Sequence, residues 1–244
     1  GGDAPLELPT DRPRPPVQAF DGAARRISLG RELREALIAV ARERNATLAM
    51  VCLAAFQALL HRYSGQPEIT VGSPIANRTR EETEGLIGFF VNSLVMRADL
   101  SDDPEFSELL RRVRETSLAA YDHQDLPFSL LVEALRAKEG PPHFEVLFLM
   151  QPPSSEVAVP DTEVAEFPVE GTHAGDFALV LDLVEVGGGL IGTFSYNQAL
   201  FHSTTALRWR GHLEALLAGA AADPARPLTE LPLLSEGERH QVTF

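Results

Sequence analysis

Apolar side chains recur at the spacing of one helix face in several stretches of the chain. Between residues 30 and 44 they lie three or four positions apart, as in Leu33, Leu37 and Ala41, which predicts an amphipathic helix. The next stretch, 47–63, is apolar almost all round, which predicts a helix buried between other layers. The predicted helices are 30–44, 47–63, 103–121, 126–135 and 204–220.

Shorter apolar or alternating stretches predict strands. "HFEVLFLMQ" is apolar at both odd and even positions, which is typical of a strand covered on both faces. "FALVLDLVEV" and "LIGTFSYN" flank three consecutive glycines, which predicts a hairpin. The predicted strands are 24–28, 68–75, 87–97, 143–151, 177–186 and 190–197. Helices interleaved with strands predict the α/β class, with a mixed β-sheet packed with helices.

Both ends of the chain and one internal segment show neither the helical nor the strand spacing of apolar residues. Residues 1–23 are rich in Pro, Gly and Asp and predict an extended linker, and residues 223–244 predict another. Residues 152–176 form a long segment rich in Pro and Glu, which is typical of a functional or bridging loop. We therefore expect one folded unit, 24–222, and a further portion of protein upstream of it.

Two polar residues interrupt the apolar stretch "IGFFVNSLVMR". A buried polar side chain without partners costs about 1–3 kcal/mol, so Asn92 and Ser93 need partners. Two roles are open to them: they cap backbone groups at an irregularity of the strand, or they face a wet channel that holds a substrate.

Composition excludes several classes of function. The formal net charge of -14 disfavours nucleic acid as a partner. The longest apolar stretch, 47–60, is shorter than the roughly 20 residues that span a bilayer, so membrane insertion is disfavoured. The single cysteine, Cys52, lies in this stretch, and we expect it to be a small buried core residue. Because one cysteine cannot form an internal disulfide, the reducing cytoplasm is the predicted compartment.

The order of segments resembles one family over nearly the whole chain. "IGFFVNSLVMR" is similar to the IGxFVNTxxxR motif of nonribosomal peptide synthetase condensation domains, and "HQDLPF" is similar to their (H/N)QDxPFE motif. Both motifs belong to the C-terminal half of such domains. The chain therefore resembles a condensation-domain C-terminal subdomain that precedes an adenylation domain.

The resemblance implies a fold and a reaction. Members resemble chloramphenicol acetyltransferase, in that two α/β lobes form a V with a tunnel between them, and this chain would be one lobe. Donor and acceptor carrier proteins deliver thioesters on phosphopantetheine arms from opposite ends of the tunnel, and the acceptor amine attacks the donor thioester to form a peptide bond. No cofactor is expected to bind this chain directly.

The resemblance also places candidate residues around the tunnel. It implies that the loop leaving the strand "EITVGSPI" runs under the tunnel, which makes Ser73, Asn77 and Arg78 candidate tunnel residues together with Asn92 and Ser93. For Arg78 a surface ion pair with Glu81, Glu82 or Glu84 is the alternative.

A second motif lies where one predicted helix ends and the next begins. His123, Gln124, Asp125, Pro127 and Phe128 occupy this junction. We expect the polar side chains here to bind unpaired backbone groups of the junction, and we assign them no catalytic role.

The family's catalytic signature HHxxxDG is absent from the sequence, and the seven histidines include no adjacent pair. We therefore expect the isolated chain to be catalytically incomplete, and no catalytic residue is assigned. Two alternatives remain: a noncatalytic docking module for carrier proteins and the adenylation domain, or part of a starter domain that transfers a fatty acyl group. Docking of acidic carrier proteins would need a basic patch, for which Arg111, Arg112 and Arg114 are candidates.

Overall fold

The protein is described here by a computed structural model that covers residues 6–17, 21–78, 80–136, 144–152 and 177–243. These residues form a six-stranded sheet with helices. The elements are β1 (Gly22–Leu29), α1 (Arg31–Glu43), α2 (Leu48–Ser64), β2 (Glu68–Ile75), α3 (Glu81–Glu84), β3 (Asn92–Asp99), α4 (Phe106–Asp122), α5 (Phe128–Arg136), β4 (Val146–Gln151), β5 (Leu179–Val186), β6 (Gly189–Asn197), α6 (Ser203–Ala222) and α7 (Glu236–Thr243).

The sheet is mixed, as the sequence predicted. Its strand order is β1-β6-β5-β4-β2-β3. The pairs β4–β5 and β2–β4 are parallel and the other pairs are antiparallel. β2 and β4 share a single register pair, Gly72 with Leu147. A Cβ at Gly72 would lie 2.2 Å from the ring of Phe144 and 2.7 Å from the side chain of Leu147, so a larger residue here would require these side chains to move.

One hydrophobic core lies between the sheet and the long helices. α2 is at its centre, because it contacts α1, α4 and α6 and buries twelve of its seventeen residues. The prediction of a fully buried helix is therefore confirmed. No single described helix is long and apolar enough to cross a membrane, and α1 and α2, which would suffice together, are bent by 101°.

Two local predictions need correction. The apolar run starting at Ile87 does not begin a strand there, because β3 starts only at Asn92. Helix α4 begins at Phe106 after the cap residue Glu105, and not at residue 103. The Asp103 carboxylate instead accepts hydrogen bonds from the backbone and hydroxyl of Thr229. The short helices α3 and α7 were not predicted.

The segments interpreted as linkers contribute to the packed unit. Leu6 and Leu8 belong to the core, and the carboxylate of Asp11 accepts hydrogen bonds from the backbone of His202 and the hydroxyl of Thr205 at the start of α6. At the other end, the core includes two leucines of the segment after α6, Leu228 and Leu231. The folded unit therefore extends beyond the predicted bounds 24–222. A linking role for residues 1–23 and 223–244 stays a prediction, and the predicted bridging loop, 152–176, lies outside the described residues except for residue 152.

Candidate functional site

The five predicted tunnel residues do not share one face of the sheet. Register pairs Ser73 with Leu94 and Pro74 with Ser93. Because side chains alternate along a strand, Ser73 and Asn92 lie on the face of Leu94, which packs against the helices. Ser93 projects from the opposite face and is half-buried. Of the two polar residues in the motif, only Ser93 is thus placed on the face away from the helical core.

Asn92 ties the start of β3 to the connection between α4 and α5. Its amide nitrogen donates to the carbonyls of Gln124 and Leu126, both at 2.8 Å. Its amide oxygen accepts from the backbone N–H of Phe128 at 3.0 Å, which satisfies an unpaired donor at the first residue of α5. Asn92 is 9% exposed. Of the two roles that the sequence left open, these contacts support the backbone-capping role for Asn92, and we call this arrangement the Asn92 junction.

Among the described residues, the side-chain hydrogen bonds of this connection come from Asn92 and not from the HQDLPF motif. Backbone groups close the connection, since the N–H of His123 donates to Ala120 and the N–H of Gln124 donates to Tyr121. The side chains of His123 and Asp125 are exposed, and Pro127 precedes α5. Asn92, which lies more than thirty residues before them in the chain, supplies the side-chain hydrogen bonds that the sequence pattern assigned to the motif itself. A sequence pattern cannot reveal a partner so distant along the chain.

Arg78 binds the loop that follows it. Its guanidinium donates to the carbonyl oxygens of Thr83 and Gly88 and lies 4.3 Å from the centre of the Phe90 ring. Among the described residues, no ion pair joins Arg78 to Glu81, Glu82 or Glu84, so the alternative of a surface ion pair is corrected. Backbone carbonyls and an aromatic ring take the place of those carboxylates.

Asn77 precedes Arg78 where the chain leaves β2. Its φ of 51° is in the left-handed region, which asparagine tolerates better than most residues. Its side-chain oxygen is buried and has no hydrogen-bond partner within the described part of this chain. A buried acceptor of this kind usually has a donor, so its partner is to be sought outside those residues.

The loop from Gly85 to Val91 presents apolar side chains to solvent, and we call it the apolar loop. Ile87 is 104% exposed and Phe89 is 88% exposed. Leu86 and Val91 are also exposed, as are Leu126 and Leu130 beyond the Asn92 junction. Large apolar side chains concentrated in one short loop are typical of an interaction surface.

The arginines of α4 do not form a free basic patch. Arg111 forms ion pairs with Glu108 at 2.7 Å and with Glu115 at 2.6 Å, and Arg112 also pairs with Glu108. Hydrogen bonds from these two arginines lower the pKa of Glu108 to about 2. Arg114 donates to the carbonyl of Asn45. The predicted patch is therefore a surface network of both charges.

A second buried polar network joins α2, α6 and α7. The hydroxyl of Tyr63 lies 2.7 Å from Nδ1 of His212, and Nε2 of His212 lies 3.2 Å from a carboxylate oxygen of Glu238. Burial lowers the pKa of His212, although Glu238 opposes this shift, and burial raises the pKa of Tyr63 to about 12. A cavity of about 780 Å³ adjoins the network between α6 and α7. No local pattern in the sequence signals this network, because its three members lie on separate helices.

A reactive cysteine and a metal site are two other kinds of chemistry, and both have little support. Burial raises the pKa of Cys52 to about 12, so a thiolate does not form there near neutral pH, and the predicted role as a small buried residue agrees with this. Within the described ranges, no group of three His, Cys, Asp or Glu residues is arranged to hold a metal ion.

Comparison with known proteins identifies the family. The family model for the condensation domain matches residues 2–243. One of the linear gramicidin synthase proteins of Brevibacillus parabrevis is 49% identical over 251 residues, an alignment that covers all of this chain and 3% of that protein. Malpibaldin synthetase from Mortierella alpina is 42% identical over 237 residues, which cover 96% of this chain and 4% of its own. The chain thus spans only a small part of the length of such relatives.

Solved structures agree with the predicted fold. The X-domain in its complex with OxyB from teicoplanin biosynthesis is 27% identical and matches with a TM-score of 0.86, over 97% of this chain and 53% of its own. The first condensation domain of the CDA synthetase matches in fold, with a TM-score of 0.71 and 22% identity over 93% of this chain and 50% of its own. The predicted α/β lobe of the chloramphenicol acetyltransferase-like fold is confirmed. The chain belongs to the condensation-domain family of nonribosomal peptide synthetases.

Proposed function

We propose that this chain is the C-terminal half of a condensation domain that forms peptide bonds between thioesters held by carrier proteins. The exposed apolar loop is the observation that carries the proposal. A side chain such as Ile87 or Phe89 gains about 1.5–3 kcal/mol when it is buried, so a surface that exposes both favours a partner. The chain covers 53% and 50% of the two solved structures compared above, which supports the other half of the domain as that partner.

In the proposed reaction, the α-amino nitrogen of the acceptor attacks the carbonyl carbon of the donor thioester. A C–N bond forms, the C–S bond breaks, the nitrogen loses a proton and the departing pantetheine sulfur gains one. This chain would contribute binding groups to that step. Ser93 is a neutral donor and acceptor on the face away from the helices, and it suits an amide of a phosphopantetheine arm.

The remaining tunnel candidates have separate tasks in this proposal. The buried oxygen of Asn77 lacks a partner in the described part of this chain and would accept a hydrogen bond from the other half of the domain or from an arm amide. Ser73 lies on the helix-facing side of β2, so we assign it to packing of the strand and not to substrate contact. The proton acceptor belongs to the other half, since this sequence lacks HHxxxDG.

The proposed partners are the N-terminal half of the domain, two carrier proteins with phosphopantetheine arms, and an adenylation domain that follows residues 223–244. No cofactor is proposed for this chain itself. The cytoplasm stays the predicted compartment.

Noncatalytic docking is the second candidate function. The match to an X-domain that was solved in complex with OxyB favours it, because that protein of the same fold assembles with a partner. The ion pairs of Arg111 and Arg112 count against docking of an acidic carrier protein on α4, since their charges are already matched by Glu108 and Glu115.

A condensation assay distinguishes the two functions. Loaded donor and acceptor carrier proteins are incubated with this chain alone and with a two-lobe protein in which an upstream half bearing HHxxxDG is joined to it. We expect peptide product only from the two-lobe protein, and none when the second histidine of that signature is replaced by alanine. Product from this chain alone would overturn the half-domain proposal, and binding of carrier proteins without product from either protein would favour docking.

A further inference from the structure

The apolar loop has a defined shape although it lacks regular secondary structure. It runs from Gly85 to Val91 between α3 and β3. Its two most exposed side chains, Ile87 and Phe89, alternate with Gly88 and Phe90, which face Arg78. Apolar side chains favour contact with other apolar surface over water, so their exposure here requires a backbone that is held in place.

Arg78 supplies that fixation from outside the loop. Its two terminal nitrogens bind carbonyls that are five residues apart, those of Thr83 and Gly88, so one side chain spans α3 and the middle of the loop. The same guanidinium lies 4.3 Å from the centre of the Phe90 ring. The planar, delocalised cation of arginine suits this combination of two hydrogen bonds and one aromatic face, whereas a lysine ammonium does not.

Two neighbouring residues fit this arrangement. Asn77 turns the chain with a φ of 51° as it leaves β2, immediately before Arg78. A Cβ at Gly88 would lie 3.1 Å from the Phe90 ring, closer than an ordinary contact, so glycine allows the ring to approach the backbone. Arg78, Gly88 and Phe90 thus form one contact unit, and Ile87 and Phe89 stay exposed beside it.

We infer that Arg78 is a positioning residue for condensation: it orders the apolar loop so that Ile87 and Phe89 meet an apolar surface on the other half of the domain. This inference rests on the proposed function. It differs from a direct role in the tunnel, because Arg78 acts on substrate only through the loop. The partner surface is apolar, since the two side chains offered to it carry no polar atom.

Proteolysis of this chain tests whether Arg78 orders the loop. Chymotrypsin cleaves after Leu86, Phe89 or Phe90, and mass spectrometry locates the cuts. We expect Arg78→Ala to raise the rate of these cuts about tenfold, because a protease requires an opened loop. Arg78→Lys should be intermediate, and Arg111→Ala, which removes an exposed arginine paired with two carboxylates on α4, should be unchanged.

Turnover of the two-lobe protein tests whether the ordered apolar loop is needed for condensation. We expect Arg78→Ala to lower the condensation rate about tenfold through misplacement of the interface, with an unchanged melting temperature. Arg78→Lys should restore part of the rate and Arg111→Ala should keep all of it. Phe90→Leu keeps an apolar side chain but removes the ring face, and it provides a second test if Arg78→Ala folds poorly.

Separate outcomes concern separate claims. Wild-type cutting and wild-type turnover in Arg78→Ala would overturn the inference. Faster cutting with unchanged turnover would also overturn it, because the order of the loop would then be irrelevant to the reaction. A wild-type two-lobe protein that forms no product would instead overturn the proposed function, and the cutting rates alone would then decide whether Arg78 orders the loop.

Discussion

Two neighbouring regions of one motif have opposite relations to solvent. In the apolar loop, Ile87 is 104% exposed and Phe89 is 88% exposed, whereas Asn92, which begins β3, is 9% exposed. A hydropathy pattern would reverse this order and bury the apolar residues. The polar residue is inside because it binds three backbone groups of this chain, and we propose that a partner covers the apolar residues.

The comparison also separates two kinds of constraint in the motif. Asn92 satisfies three backbone groups of this chain, so its identity is set by folding. Phe89 contributes little to the core of this chain, so the proposed interface sets its identity. Substitutions should therefore separate stability from association along the motif.

The largest effect should come from Asn92. Replacing it with alanine leaves two carbonyls and the Phe128 N–H without their partner, so Asn92→Ala should lower the free energy of unfolding by about 2–4 kcal/mol. Urea denaturation followed by circular dichroism measures this. Ser93→Ala is the matched control, and we expect it to change the free energy by less than about 0.5 kcal/mol. Equal losses of stability in Asn92→Ala and Ser93→Ala would contradict the assignment of a folding role to Asn92 alone.

A smaller effect should come from pH, at the buried network of His212. Burial lowers the pKa of His212, and the neighbouring Glu238 opposes this, so protonation is harder in the folded chain than in the unfolded chain. The stability that neutral His212 contributes is fully present above the unfolded-state pKa of about 6.5 and is lost as pH falls through the depressed folded-state pKa. The Asn92 junction contains no titratable side chain and should show no such dependence.

Denaturation at a series of pH values checks this. His212→Gln should flatten the dependence of stability on pH just below the unfolded-state pKa, while Asn92→Ala should lower stability by a similar amount at each pH. His123→Gln, which changes an exposed histidine, is the control and should follow wild type. If His212→Gln keeps the wild-type slope, the network does not titrate as described.

The smallest effect on stability should come from the apolar loop. Phe89→Ser should change the free energy of unfolding by less than about 0.5 kcal/mol, since the side chain is 88% exposed. An exposed apolar loop favours association between copies of this chain, so the same change should lower that association, which sedimentation velocity over a range of concentrations measures. Val17→Ser, at another exposed apolar residue, is the control. A large loss of stability in Phe89→Ser would show that the loop belongs to the core.

Much of the fold could be predicted from the sequence because local periodicity determines it. The buried helix α2, the hairpin of β5 and β6 around Gly187 and Gly188, and the mixed sheet all follow from apolar spacing and turn residues. The predicted start of α4 is wrong because Asp103 resembles a cap, whereas its carboxylate binds Thr229. A cap residue cannot be told from a long-range partner by its local sequence alone.

The candidate site was harder to predict for the same reason. The motif located Asn92 and the HQDLPF residues correctly along the chain, but not their pairing, which joins residues more than thirty positions apart. Three glutamates lie within six residues after Arg78 in the sequence and predict an ion pair. Its partners are instead two backbone carbonyls and the Phe90 ring. Opposite charges that are close in the sequence predict ion pairs, but they do not reveal that an arginine binds backbone carbonyls instead.

The packing of both chain ends bears on the exchange of parts between synthetases. Asp11 binds the beginning of α6, and the segment that follows α6 brings Leu228 into the core. A recombination point at residue 24 or 222 would therefore remove either the contacts of Asp11 with the start of α6 or a core side chain, even though both positions resemble the borders of a linker. Chimeric enzymes that keep residues 6–12 and 223–238 with this lobe would retain these contacts and the hydrogen bond between His212 and Glu238.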